Sequence, residues 1–453
     1  IFGLILCTLI TFSAPASDVL TQLKAIERIT AQETTEASDK EAGLQRFLIT
    51  IEQPADHFNP KSGIFKQKLV LFHRGFDEPM VLQTSGYNIY AQRMSRLATT
   101  FKTNQLQIEH RFFEASSPNP KDWTKLDIRQ SAEDFHEVVT IFKNLYRQRW
   151  VGTGASKGGM TSIFHRRFYP KDLDGTVADV APLSFSVDDQ RYVDFVSSVG
   201  GEHYANCRTQ LEEIQKSLLI KKNDLLPMFD GEFTQLGSKE VGFEHAVSEL
   251  PFIFWQYGNP ETGKVNCNNI PSTQASSVEL FEFLTKANNP TEYADTTLNT
   301  FLPYYYQAAA QLGAPGLKLS HLSELLKFPY SIDQYIPKDQ KVSYSDVAMQ
   351  DIKSWVSNNA DGIIFVYGEF DPWSAGAYRD INSGDNHLFL VPGGNHGSNF
   401  SSLKGAESER AISVLSRWFN KSAAVTPTFN SENNFLEDIE FNMRRRHRGL
   451  SKF

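Results

Sequence analysis

One segment constrains this chain more than any other: Trp150-Val151-Gly152-Thr153-Gly154-Ala155-Ser156-Lys157-Gly158-Gly159-Met160. Residues 149–153 can extend as a strand, and residues 161–168 read as the buried helix that follows. Between them, Gly154-Ala155-Ser156-Lys157-Gly158 matches the G-x-S-x-G pattern, in which a strand turns sharply into a helix and one serine hydroxyl stands alone at the tip. The glycines two places either side leave room for neighbouring backbone to come close. A phosphate-binding loop also uses Gly, Ser and Lys, but there the lysine follows the glycines and directly precedes Ser or Thr; Lys157 precedes its glycine pair. The competing reading is a structural turn. The strand before and the helix after favour a reactive serine.

The rest of the chain supplies a frame for such a turn. Residues 47–51, 65–72, 80–83 and 106–110 read as strands, with the turn Asn59-Pro60-Lys61-Ser62-Gly63 after the first. Ala132, Phe135, Val138, Val139, Phe142, Leu145 and Tyr146 form one stripe of a helix over 130–146. Strands follow at 175–182, 363–367 and 387–391, and a closing helix at 406–419. Strands alternating with helices predict an α/β architecture, a mostly parallel, doubly wound sheet with helices on both faces. From about 185 to 344 the alternation gives way to helical, aromatic-rich sequence, which predicts an inserted cap. The expected organisation is residues 17–184 and 345–422 as an α/β-hydrolase catalytic domain, 185–344 as a mainly helical cap, and 423–453 as a polar tail ending in Arg444-Arg445-Arg446-His447-Arg448. Residues 17–45 read as a short surface helix and linker. A chain of 453 residues, 40% of them hydrophobic, can bury cores for all of this.

A serine hydroxyl is a weak nucleophile and needs a histidine to take its proton and a carboxylate to orient that histidine. In the α/β-hydrolase fold the order along the chain is Ser, then Asp or Glu, then His, each on a loop after a strand. The strand at 363–367 runs into Gly368-Glu369-Phe370-Asp371-Pro372-Trp373, where Asp371 sits at the turn and Glu369 is its rival. The strand at 387–391 runs into Pro392-Gly393-Gly394-Asn395-His396-Gly397, a tight loop that can carry His396 over the sheet; His387, at the strand start, reads as structural. Ser156, Asp371 and His396 are therefore the candidate triad. For the oxyanion, one N–H is expected from Lys157 and a second from the loop carrying Gly86 and Tyr87, whose alternative reading is a plain turn.

Other features narrow the class. Net charge is −8 and the isoelectric point about 5.8, which speaks against a nucleic-acid surface. No H-E-x-x-H, paired C-x-x-C or calcium loop occurs, so neither a metal nor a cofactor is indicated. The apolar run at residues 1–12 is too short to span a bilayer and is followed by Ala14-Pro15-Ala16, the pattern of a signal peptide cut after Ala16; no stable membrane insertion is expected after cleavage. Cys7 falls within that segment. Cys207 and Cys267 remain, either as a disulfide in an oxidising compartment or as two buried thiols.

The motifs Glu109-His110-Arg111-Phe112-Phe113, Gly154-Ala155-Ser156-Lys157-Gly158-Gly159, Phe254-Trp255-Gln256-Tyr257, Tyr367-Gly368-x-x-Asp371-Pro372-Trp373 and Gly394-Asn395-His396 stand in an order that resembles the bacterial secreted tripeptidyl aminopeptidases, serine peptidases related to the prolyl carboxypeptidases. Asp56-His57-Phe58 and Phe65-Lys66-Gln67 look like the opening segment of both branches, and Ser-Lys-Gly-Gly at the turn favours the aminopeptidases. The likeness covers about 47–419, and the basic tail beyond Asn442 lies outside it. It implies the same triad, peptide substrates, and release of tripeptides from free N-termini, often after proline. A prolyl-type carboxypeptidase or esterase, or an inactive binding protein, are the alternatives. An aminopeptidase also needs carboxylates for the substrate ammonium; Asp77, Glu78, Asp188, Asp189 and Glu202 are candidates, each weighed against a solvated surface charge. Trp255 and Tyr257 are read first as core packing and second as the wall of a proline pocket.

Overall fold

The computed structural model describes residues 18–59, 61–263 and 265–425. The expected signal segment 1–16, Cys7 with it, and the tail from 426 lie outside the described residues. Nine strands build one sheet: β1 (Ile29–Glu33), β2 (Gln45–Pro54), β3 (Ile64–His73), β4 (Met80–Thr84), β5 (Asn104–Ile108), β6 (Trp150–Ala155), β7 (Gly175–Asp179), β8 (Ile363–Gly368) and β9 (His387–Val391). Their spatial order is β1-β2-β3-β5-β4-β6-β7-β8-β9. β1, β2, β3 and β5 pair antiparallel in succession, and every pairing from β5 to β9 is parallel.

Alternation of side chains decides which helices the sheet can hold. Met80 and Leu82 of β4 point into one apolar cluster with Phe135, Val138 and Phe142 of the helix Ile128–Phe142. Val81, between them, points to the other face, among Leu97, Val414 and Trp418. In β8, Ile363, Phe365 and Tyr367 face Ile163 and Phe164 of the helix Lys157–Phe168, while Ile364 and Val366 face the helix Gly405–Phe419. Both faces are thus covered, as parallel strands joined by helical crossovers require. Each fully buried side chain of this size contributes about 1.5–3 kcal/mol. The strand order, with β3 running against the parallel set from β5 to β9, and the two helical layers make this the α/β-hydrolase fold.

Residues 17–45 depart from the expected helix and linker. The short helix is present at Val19–Lys24, but Ile29–Glu33 forms an edge strand on β2. Only Ile29 in that strand is buried, so its apolar pattern is nearly silent and backbone pairing holds it. The helix expected over 130–146 runs from Ile128 to Phe142, started by Asp127, whose carboxylate accepts from Gln130 N–H at 2.8 Å. Leu145 and Tyr146 leave the helix yet still pack beneath the sheet.

Between β7 and β8 the chain forms the helices Gln190–Ser198, Ala205–Ile220, Lys239–Tyr257, Ser277–Ala287 and Asp295–Gln307, packed around a separate core that includes Leu211, Phe243, Leu250 and Leu284. Cys207 and Cys267 are bonded, with their Cα atoms 5.3 Å apart, and tie two parts of this segment together. Pro251 lies inside the helix Lys239–Tyr257 and removes one of its hydrogen bonds. Gln215 Nε2 occupies the carbonyl of Val247 so released, at 2.7 Å, and the helix continues. No helix among the described residues is long and apolar enough to cross a membrane.

Candidate active site

Ser156 stands between the last residue of β6 and the first of the helix Lys157–Phe168, with φ 54° and ψ −126°. A non-glycine residue there costs about 1–3 kcal/mol and persists only where its surroundings hold it. Here they do: Ser156 N–H donates to Asp179 O, and Ser156 O accepts from Met160 N–H, both at 2.9 Å. The glycines are needed by neighbouring backbone. A Cβ on Gly154 would lie 2.3 Å from Gly158 O, and one on Gly158 would lie 2.5 Å from Thr84 O.

The three candidates from distant parts of the chain meet. His396 Nε2 is 2.9 Å from Ser156 Oγ, and His396 Nδ1 is 2.7 Å from Asp371 Oδ2. The Asp371 side chain is fully buried, and its other oxygen accepts from Trp373 N–H at 3.0 Å. A carboxylate held on both oxygens cannot rotate away from the imidazole. Glu369, the rival, is exposed and accepts from Gly393 N–H at 2.7 Å, so it shapes the histidine loop from outside. His387 pairs with Asp385 at 2.9 Å, away from the serine. The loop of His396 is fastened to the helical segment: His396 N–H donates to Gln256 O at 2.9 Å, and Asn395 Nδ2 reaches Tyr257 O and Gly258 O at 3.1 Å.

Lys157 N–H heads its helix, where first-turn amides have no intrahelical acceptor and the dipole favours negative charge. Gly86, with φ 71°, lies directly against it; a Cβ there would fall 2.4 Å from Gly158 N and 2.6 Å from Lys157 C. Gly86 therefore has to be glycine on two counts, and Tyr87 follows it at the same rim. The lysine side chain has a role that the motif alone does not disclose. Its Nζ donates to Gly86 O at 2.7 Å and lies 5.6 and 5.5 Å from the ring centroids of Tyr87 and Phe113. Burial pushes its pKa well below the ordinary lysine value. One side chain thus pins the two halves of the expected oxyanion site together.

Asp179 ends β7 beside the elbow. Burial raises its carboxyl pKa to about 8, against the opposing pull of Phe400 N–H and of Arg96. The folded protein therefore keeps a proton that the unfolded chain releases near the ordinary carboxyl pKa of about 4. Stability should fall as pH rises from about 4 to about 8 and level off above that, by a total on the order of 5 kcal/mol from this group. In urea melts across this range, Asp179→Asn is expected to flatten the slope relative to wild type; parallel curves would contradict it.

A cavity of about 920 Å³ opens over the triad, walled by Ser156, Lys157, His396, Phe252, Tyr257 and Trp373 among others. Of the two aromatic candidates, Tyr257 lines it, while Trp255 is buried in the helical core against Tyr204 and Phe370. None of the five carboxylates proposed for a substrate ammonium does. Asp77 and Glu78 precede β4 and so lie at the opposite edge of the sheet from Ser156, with Glu78 paired to Lys421. Asp189 is taken by Arg191 at 2.7 Å, and Asp188 and Glu202 are exposed outside the cavity. The carboxylates that do line it are Asp230, Glu232, Glu292 and Glu249, and of these Glu249, on the helix Lys239–Tyr257, accepts from the hydroxyls of Tyr293, Tyr330 and Tyr335. Its signal in the sequence is an acid set directly before the apolar run Leu250-Pro251-Phe252-Ile253-Phe254-Trp255.

The chain matches the family described as PS-10 peptidase S37 over residues 15–446, a wider span than the 47–419 that carries the motifs and one that reaches into the basic tail. It is 38% identical over 402 residues to the prolyl tri/tetrapeptidyl aminopeptidase of Streptomyces mobaraensis, covering 85% of this chain and 81% of that protein. A shorter stretch of 105 residues is 33% identical to prolyl carboxy peptidase like protein 5 of Caenorhabditis elegans, 20% of each chain. Among solved structures, the proline iminopeptidase of Mycobacterium smegmatis aligns with a TM-score of 0.37 at 13% identity, over 86% of this chain and 99% of that one.

Proposed function

The chain belongs to the peptidase S37 family and is a serine peptidase, and from that premise we propose that Ser156, His396 and Asp371 release tripeptides from the free N-termini of peptide substrates, with proline favoured before the cut. The observation that carries this reading is the unbroken line from Asp371 through His396 to Ser156 at a strained turn, in the wall of a cavity. Exopeptidase action accords with the Streptomyces relative, whose name specifies prolyl tri/tetrapeptidyl release.

The steps follow from the atoms. His396 Nε2 takes the Ser156 proton as Oγ attacks the peptide carbonyl, and Asp371 stabilises the imidazolium through Nδ1–H. The oxyanion is received by Lys157 N–H and by an N–H of the Gly86–Tyr87 loop. His396 returns the proton to the leaving amine, and water then cleaves the peptidyl ester by the same route. Phe252, Tyr257 and Trp373 offer the flat apolar wall on which a proline ring packs. The cap role of the helical segment 185–344 belongs to this reading, as does export: a disulfide suits an oxidising compartment, and the apolar run with Ala14-x-Ala16 supplies a signal.

The test is product identity. A ten-residue peptide with proline third from a free N-terminus should yield its first three residues as one fragment in mass spectrometry. Release of single residues from the C-terminus, or internal cuts, would replace this reading with the carboxypeptidase or a broader hydrolase.

A further inference from the structure

The cavity wall holds a half-buried carboxylate, Glu249, that pairs with no cation among the described residues, since Lys286 in the same wall pairs with Glu282 at 3.7 Å. Glu249 is met by hydroxyls alone: Tyr330 donates to Oε1 at 2.7 Å, Tyr335 to the same oxygen at 3.5 Å, and Tyr293 to Oε2 at 2.8 Å. Among the described residues no lysine, arginine or charged histidine pairs with it. His245, one turn earlier on the same helix, binds the Tyr335 hydroxyl at 2.7 Å, and burial keeps it neutral by lowering its pKa to about 4. Burial likewise raises the pKa of Glu249. Three O–H donors fix the position of a carboxylate without neutralising it. A partly desolvated charge in that condition gains from the arrival of a counter-charge. The wall it faces is shared with Ser156 and His396.

The helix also sets a distance. Glu249, Phe252, Ile253 and Gln256 lie on one face at helical spacing and all line the cavity. The Gln256 end is bonded to the backbone of His396. Seven residues separate Glu249 from Gln256, a rise of about 10 Å along the axis. An extended peptide advances about 3.3 Å per residue, so three residues span that setback.

We propose that the Glu249 carboxylate receives the α-ammonium of the substrate's first residue, and that its setback along the helix makes three residues the preferred length released. This assignment rests on the N-terminal exopeptidase reading and adds to it the anchor and the ruler. The three tyrosines are positioning residues, since they hold the carboxylate and leave its cavity side for the incoming cation.

The experiment compares H-Ala-Ala-Pro-p-nitroanilide with its N-acetyl twin on wild type and Glu249→Gln, after fluorophosphonate labelling of Ser156 has counted intact sites in each preparation. Wild type should favour the free amine, and Glu249→Gln should reduce that ratio of kcat/KM by at least about 30-fold, the effect of removing one partner of a buried charge pair. An unchanged ratio overturns the assignment while leaving the exopeptidase standing; failure of Ser156 to label would instead strike the peptidase mechanism itself. Glu249→Asp keeps the charge on a shorter stem and serves even if the glutamine variant does not fold. It should raise tetrapeptidyl over tripeptidyl turnover, and an unaltered ratio overturns the ruler.

Discussion

Replacement of Ser156 by alanine is expected to lower kcat on H-Ala-Ala-Pro-p-nitroanilide by about 10⁶-fold. The hydroxyl is the only group at the elbow that can form the ester, and its single side-chain partner is His396. What remains should be the modest acceleration from the oxyanion donors and substrate binding, some 10³–10⁴ over water. Binding need not suffer, because the wall that would hold the peptide is supplied by other side chains, among them Phe252, Tyr257 and Trp373. KM should therefore stay near wild type. Alanine inherits the same strained backbone angle, φ 54°, so the thermal midpoint should move little. Residual turnover above about 1% of wild type would remove Ser156 from the chemistry, since nothing short of the nucleophile's loss is being tested.

Asp371→Asn is expected to cost about 10⁴-fold in kcat with the fold intact. Asp371 receives two donors, His396 Nδ1–H and Trp373 N–H. An asparagine can keep the second through its carbonyl and must then present its NH₂ to Nδ1. That favours the tautomer with the proton on Nε2, which cannot accept the Ser156 proton. Glu369→Gln is the informative contrast. Its oxygen supports Gly393 from the exposed side, so kcat should remain close to wild type. Equal losses in the two variants would mean that the turn as a whole, and not one carboxylate, is what the histidine requires.

Much of this site could be read before any coordinates, for a physical reason. Each candidate triad member follows an apolar strand and sits among residues that force a turn: glycines around Ser156, Pro372 after Asp371, Gly393 and Gly394 before His396. Local chemistry thus marks three loops, and the parallel sheet brings their ends to one edge without needing any further signal. β1 was illegible because one buried residue carries no periodicity. Glu249 was illegible as a partner because its meaning depends on three tyrosines more than forty residues downstream. The second function of Lys157 has the same character: a motif shows that a lysine follows the serine, and only the fold shows that its Nζ turns back onto Gly86. The pairing of Cys207 with Cys267 was open in the sequence and needed a distance to decide.

The attachment of His396 and Asn395 to the last carbonyls of the helix Lys239–Tyr257 has an effect on traffic. Raising that helix off the sheet would strip the general base of its anchorage at the same stroke, so an opened molecule is a disarmed one. On the proposed reading, a peptide would enter beneath this helix while it stays seated. A slender chain end fits such a passage, so the proposed preference for free N-termini would follow from access as well as from the anchor.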